Sequence, residues 1–304
     1  MTKHSVKVSV VIPVYNREVE LRRAIQSVLT QTISDIEIVV VDDCSEIDLN
    51  KLVIEPLNDE RIRFFRLEKK GYANVCRNVG IRQARGEYIA MLDSDDEWLA
   101  LHLEKRIAFM EASSVDGLFG SHYVDDGVEK IPVISRKIGH HESMADYLLT
   151  TGTAATPTHF YKASCVKQIE WDESLKRHQD YDFSIRFAEK FRFVPFTELT
   201  CVVHWIRGER RSESYEAQMR FIEKHKAKIS PRVYNQYHSK AFFQAVKGAA
   251  VDQRVVAHYR RESARFPDQL TLVEYLSVKG YNKPAFIRLF YRLKFAIRIL
   301  LRFK

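Results

Sequence analysis

The chain has 304 residues, 45% of them hydrophobic and 29% charged, a composition that fits a folded catalytic domain with an accessory region and excludes a disordered protein. The net charge of +8 is uneven: residues 211–304 hold 20 Lys and Arg against 7 Asp and Glu, and this +13 leaves residues 1–210 at −5. No apolar run approaches the ~20 residues that span a bilayer and no secretory leader pattern opens the chain, so a cytoplasmic location is expected.

Residues 8–14 form a continuous β-branched run, as expected of a strand buried on both faces. Asn16 is placed to cap the next helix, on which Leu21, Ala24, Ile25 and Val28 share one face. A second buried strand covers 36–41 and ends in Asp42-Asp43, and a third covers 62–67. A helix over 73–85, closed by Gly86 at its C′ position, leads into a strand over 87–92. This rhythm predicts an α/β fold with a mainly parallel, doubly wound sheet that binds its ligand at the carboxyl ends of the strands. After Trp98 the rhythm weakens. A helix is expected over 101–110, a strand over 118–124, a helix from about Asp180 to Phe191 and a strand over 200–205, while the polar stretch 135–158 receives no assignment. The expected division is a catalytic domain over 1–210 and a helical, basic region over 211–304. Cys44, Cys76, Cys165 and Cys201 form no CxxC pair, which argues against a zinc knuckle or a redox motif.

Three acidic clusters fall where an open α/β sheet takes its ligand: Asp42-Asp43, Asp93-Ser94-Asp95-Asp96 and Asp180-Tyr181-Asp182. Carboxylates crowded between Leu92 and Glu97 repel one another. A hard divalent cation with oxygen ligands offsets that repulsion and can clamp a substrate diphosphate. No GxGxxG or GxxxxGK[ST] follows the first strand. Instead Tyr15 is suited to stack on a base, Asp43 to accept a hydrogen bond from uracil, and Arg77 to reach a base or phosphate. Each also has a structural use: Tyr15 as a core aromatic with a wet tip, Asp43 as a turn residue, Arg77 as a solvated helix charge.

In order and spacing, Val10-Val11-Ile12-Pro13-Val14-Tyr15-Asn16, Val39-Val40-Val41-Asp42-Asp43-Cys44-Ser45, Arg77-Asn78-Val79-Gly80-Ile81, Ala84-Arg85-Gly86-Glu87-Tyr88-Ile89 and Leu92-Asp93-Ser94-Asp95-Asp96-Glu97-Trp98 resemble the family 2 glycosyltransferases of GT-A fold. The resemblance covers the first hundred residues and extends more loosely to about Arg211. It implies an inverting, metal-dependent hexosyl transfer from a nucleotide diphosphate donor, a UDP-sugar, to a hydroxyl of a glycan acceptor. Pro13, Tyr15 and Asp43 would line the uridine pocket with Arg77 alongside. Asp93-Ser94-Asp95 would be the DxD motif, with Asp95 the ligand of Mn²⁺ or Mg²⁺ and Asp93 between ribose and metal. Asp180 matches the catalytic base, although the usual Glu-Asp pair is Gln179-Asp180 here; His178 and Asp182 are the nearby substitutes. The dipole of the helix that Asp180 opens is expected to keep it ionised and lower its basicity. His204 resembles a histidine that some relatives place near the metal or diphosphate, and is otherwise a structural histidine.

Residues 284–304 read as an amphipathic helix with Phe286, Leu289, Phe290, Leu293, Ile297, Leu300 and Leu301 on one face and Arg288, Arg292, Arg298 and Arg302 on the other. Such a helix suits a membrane interface, or packing against protein. Together with the family resemblance it is similar to enzymes that extend lipid-linked (undecaprenyl diphosphate) O-antigen or capsule intermediates, peripheral on the cytoplasmic face of the inner membrane. The competing classes are a metal-dependent nucleotidyltransferase or phosphatase, which would release pyrophosphate or phosphate, and a nucleic-acid-binding protein, for which the strand-end carboxylates are adverse.

Overall fold

The computed structural model describes residues 6–205, 215–247, 253–263 and 265. These fall in two compact units, Met1–Lys224 and His225–Lys304.

The first unit is built on eleven strands: β1 (Val8–Val14), β2 (Ile36–Asp42), β3 (Ile62–Arg66), β4 (Tyr88–Met91), β5 (Glu97–Trp98), β6 (Gly117–Gly120), β7 (His122–Asp125), β8 (Lys130–Val133), β9 (Phe160–Lys162), β10 (Phe193–Phe196) and β11 (Cys201–His204). Its helices are α1 (Glu18–Leu29), α2 (Glu55–Leu57), α3 (Tyr72–Gln83), α4 (His102–Ser113), α5 (Met144–Thr151), α6 (Ala163–Val166), α7 (Gln179–Ala188) and α8 (Tyr215–His225), the last running into the boundary. The second unit contributes α9 (Pro231–Lys247) and α10 (Gln253–Ser263). The helix expected over 284–304 lies outside the described residues.

Seven strands form the main sheet in the order β10-β6-β9-β4-β1-β2-β3. Its neighbours are parallel except around β9, which runs antiparallel to β4 and β6. Every residue of β1 and β2 is buried, which explains why both read as unbroken β-branched runs. Val14 pairs with Asp42, and Asp42 with Arg66. The turns after these three strands therefore open on one edge of the sheet. A smaller sheet, β5-β11-β7-β8, stands beside it.

Three local expectations differ from the structure. Asn16 does not cap α1: it has φ 51°, Arg17 takes the cap position, and the Asn16 carboxamide oxygen accepts the Glu46 amide at 2.7 Å. Asn tolerates the left-handed region because its short side chain hydrogen-bonds locally. Gly86 does not close α3, which ends at Gln83. Its lack of a side chain serves a close approach, since a Cβ there would lie 2.6 Å from the Ser9 amide nitrogen. The single strand expected over 118–124 is two strands in different sheets, β6 and β7. Ser121 separates them, and a side chain on Gly120 would meet the Phe196 carbonyl oxygen at 2.1 Å.

Candidate active site

The predicted residues come from β1 and its turn, the end of β2, α3, the loop after β4 and the start of α7. At the end of β2, Asp42 is fully buried and its Oδ1 accepts the Ser45 amide at 3.0 Å, which fixes the turn. Its neighbour Asp43 accepts the Tyr72 amide on both oxygens, at 3.0 and 2.9 Å, and the Gly71 amide as well. Asp43 thus caps the start of α3 from another strand, where exposed amides favour an anion. Tyr72 holds φ 66° there, an uncommon conformation for an aromatic residue. Pro13 is buried in β1, next to the half-buried Tyr15, whose hydroxyl donates to Glu46 Oε1 at 3.3 Å. The Lys70 ammonium lies 3.5 Å from the centre of the Tyr15 ring. Pro13, Tyr15 and Asp43 therefore share one strand edge, with a lysine over the aromatic face.

Arg77 on α3 is buried and aimed inward. Its Nη2 donates to Asp93 Oδ1 at 2.7 Å, and its Nη1 to Asn74 Oδ1 at 3.1 Å and Gln179 Oε1 at 3.2 Å. The guanidinium lies 4.7 Å from the Trp171 ring centre. Arg77 thus joins the acidic loop to the start of α7. Gln179, the departure from Glu-Asp, acts here as a neutral acceptor for that arginine and also donates to the Leu175 carbonyl at 2.9 Å.

In the acidic loop after β4, Asp93 pairs with Arg77, and Asp95 Oδ2 lies 2.8 Å from Arg17 Nη1. Ser94 is buried. Asp96, which sequence reasoning left without a role, is buried and accepts the His204 amide at 2.9 Å. Burial, with the charges of Asp93 and Asp95 beside it, pushes its carboxyl well above the usual carboxylate range. Asp96 therefore ties the acidic loop to β11. His204 itself lies 3.4 Å from Glu97 Oε1 and 4.0 Å from Asp125 Oδ2.

Asp180 sits in the first turn of α7, half-buried, with Oδ1 accepting the Tyr181 amide at 2.9 Å. Burial pushes its carboxyl up to about 6, against the lowering effects of that amide and of Arg77, and the charge of Asp93 adds to the rise. The helix start does not lower its basicity as expected: desolvation outweighs the amides. The two nearby substitutes sit in different surroundings. Asp182 is fully buried between Arg186 Nη2 at 2.7 Å and Lys224 Nζ at 2.6 Å. His178 precedes the helix at φ 54°, its ring packed on Phe221, and burial beside Arg177 holds it down to about 4.

Among the described residues no group of three or more His, Cys, Asp and Glu side chains is arranged to hold a metal by itself. The donor chemistry of the acidic loop nevertheless suits a hard cation: two partly exposed carboxylates, each drawing a guanidinium to offset its charge. A cation there would take Asp95 and Asp93 as protein ligands and need further oxygens from phosphate and water.

The model of glycosyl transferase family 2 matches residues 9–170, more than half of the chain. The amylovoran biosynthesis glycosyltransferase AmsB of Erwinia amylovora is 29% identical over 241 residues, covering 74% of this chain and 79% of that protein. The UDP-Glc:alpha-D-GlcNAc-diphosphoundecaprenol beta-1,3-glucosyltransferase WfgD of Escherichia coli is 36% identical over 117 residues, 38% of this chain and 46% of its own. One relative from Rickettsia felis is matched over 18% of its length. Among solved structures, Staphylococcus aureus TarS superposes with a TM-score of 0.65 at 21% identity, over 88% of this chain and 50% of that one. TarS residues 1–349 are also solved with UDP-GlcNAc, at a TM-score of 0.59, 21% identity, and 90% of this chain covered against 79% of that one. The mannosyltransferase PcManGT from Pyrobaculum calidifontis, solved with GDP-Man and Mn²⁺, is similar at a TM-score of 0.55 and 13% identity, over 96% and 80% of the two chains. These likenesses establish the GT-A fold. No helix among the described residues is long and apolar enough to cross a membrane.

Proposed function

Because the chain belongs to glycosyl transferase family 2, we propose that it moves a hexosyl group, with inversion, from a UDP-sugar to a hydroxyl of a lipid-linked glycan. The observation that carries this reading is the buried Arg77, which joins Asp93 of the acidic loop to Gln179, the residue before Asp180. One side chain thereby couples the donor end of the site to a carboxyl with a raised pKa.

In the proposed step the acceptor oxygen attacks the anomeric carbon in line, the bond to the diphosphate oxygen breaks, and UDP departs. Asp180 takes the acceptor proton. A pKa of about 6 leaves it mostly ionised at neutral pH yet more basic than an ordinary carboxylate, as general-base work favours. Tyr15 and Asp43 receive the base, with Pro13 at the pocket wall. Ser94 lies buried between the two carboxylates of the loop. A divalent cation, Mn²⁺ or Mg²⁺, held by Asp95 and Asp93, would supply positive charge against the departing diphosphate. The lipid-linked acceptor is supported by the printed substrate of WfgD, and such an acceptor would bring the enzyme to the cytoplasmic surface of a membrane.

The test is calorimetric titration of UDP into the wild type and Asp95→Asn, each with and without Mn²⁺. UDP binding that requires both the metal and Asp95 is expected. UDP binding that ignores both would remove the metal from the reading, and no binding at all would remove the donor.

A further inference from the structure

The turn that carries Asp180 is gripped from one face of α8, by residues three apart and therefore neighbours on that helix. Phe221 is fully buried, and its ring centre lies 4.9 Å from that of His178, two residues before Asp180. Lys224 places Nζ 2.6 Å from Asp182 Oδ1, two residues after Asp180. The same ammonium donates to Asp172 Oδ2 at 2.6 Å. The Asp172 carbonyl accepts from Asn74 Nδ2 at 2.7 Å, and Asn74 Oδ1 accepts from Arg77 Nη1 at 3.1 Å. An unbroken chain of polar contacts thus runs from α8 to the guanidinium that holds both Asp93 and Gln179.

His178 makes this grip consequential. It enters α7 in the left-handed region, φ 54° and ψ 32°, which a non-glycine residue keeps only when its surroundings hold it there. The surroundings include the Phe221 ring packed on it at an interplanar angle of 40° and the bond from the Asp182 amide to the His178 carbonyl at 2.9 Å. Asp182 is in turn fixed by Lys224 and by Arg186 Nε at 2.8 Å. Both flanks of Asp180 are therefore set by α8, an element beyond the stretch 9–170 that the family model matches.

We propose that Lys224 is a positioning residue: through the bridge to Asp182 and Asp172 it aligns the Asp180 carboxyl with the acceptor hydroxyl. In this role it acts through the two aspartates and not by contact with donor or acceptor. The inference rests on the reading of Asp180 as the base, and displacing a catalytic group by about 1 Å can cost ~10²-fold in rate.

The experiment compares wild type, Lys224→Met and Lys224→Arg by release of UDP from UDP-glucose and UDP-N-acetylglucosamine, with water as the acceptor when no other is supplied. Each protein is also titrated with UDP and Mn²⁺. Expected for Lys224→Met is a fall in kcat of about tenfold or more, with donor KM and UDP affinity within about twofold of wild type, and recovery of most of the rate in Lys224→Arg. Unchanged kcat overturns the proposal, as does equal loss of kcat and UDP affinity or failure of Lys224→Arg to recover. If Lys224→Met does not fold, Asp172→Asn weakens the same bridge from its other end and is judged by the same split. A wild type that neither binds UDP nor releases it from these sugars refutes the functional reading itself, a result separate from a variant that works like an active wild type.

Discussion

The acidic loop and the first turn of α7 each contain a pair of aspartates two residues apart, Asp93 with Asp95 and Asp180 with Asp182, and they treat them differently. In the loop both are matched by opposite charge: Asp93 by Arg77 and Asp95 by Arg17, each within 3 Å. In the helix the cations all go to one. Asp182 has Arg186 and Lys224, while Asp180 has a backbone amide and the field of Arg77, and burial pushes it up to about 6. The residue type is the same in all four cases. What separates a carboxylate suited to hold a cation from one suited to take a proton is whether a counter-charge accompanies its desolvation.

The sharpest way to break this comparison is Asp180→Asn. Transfer should fall by ~10²–10⁴, the usual worth of a general base, with UDP affinity unchanged. Wild-type transfer should rise as pH climbs through about 6, because only the ionised carboxylate accepts a proton. Stability should move the other way. The folded-state pKa of Asp180 lies above its ordinary 3.8, so the stability linked to its proton is present below 3.8 and lost as pH rises through about 6. A neutral Asn escapes that loss. Thermal melts should therefore find Asp180→Asn at least as stable as wild type at pH 7, with any advantage gone below pH 3.8. A variant that keeps its transfer rate, or melts lower at pH 7, would mean that Asp180 is not the base.

The sequence shows the loop side of this comparison more plainly than the helix side. The strands β1 to β4 and the carboxylates at their ends are local patterns, and β-branched runs buried on both faces leave little choice of state. Asp93, Asp95 and Asp43 were accordingly found where the sheet opens. Asn16 and Gly86 were read by the commonest use of their type, a helix cap, although the structure uses them for a hydrogen bond and a close approach made by residues 30 and 77 positions away. The one local cue that tells Asp180 from Asp182 is Arg186, four residues after Asp182 on the same helix. The rest of their difference comes from Lys224, and the grip on His178 from Phe221, each more than 40 residues distant in sequence. The polar stretch left unassigned contains α5, for which Ser143 offered a signal: its side chain accepts the Asp146 amide, three residues on.

A smaller effect sharpens the link between the two regions. Arg77→Met removes the contacts to Asp93, Asn74 and Gln179 together and leaves Asp93 without its nearest cation. Loss of about 2–4 kcal/mol in urea unfolding is expected, because a partly buried carboxylate is left unmatched. Arg77→Lys should recover little of it, since an ammonium lacks the planar fork that reaches three acceptors at once. Full recovery by lysine would show that charge alone joins loop and helix.

The smallest expected effect concerns Arg17, whose side chain is 40% exposed beside Asp95 at 21%. Surface pairs of this kind contribute below ~1 kcal/mol, so Arg17→Ala should melt close to wild type. Cation binding should respond more. If the guanidinium stands where positive charge is needed beside Asp95, its removal takes away one competitor for a metal there, and calorimetric titration of Mn²⁺ should show tighter binding in Arg17→Ala than in wild type. Tighter Mn²⁺ binding with unchanged UDP affinity would make Arg17 a counter-ion that the metal displaces. Weaker binding of Mn²⁺ and UDP together would instead assign Arg17 to the diphosphate, and the two arginines that pair with the loop would then have opposite duties: Arg77 inside the scaffold and Arg17 on the substrate.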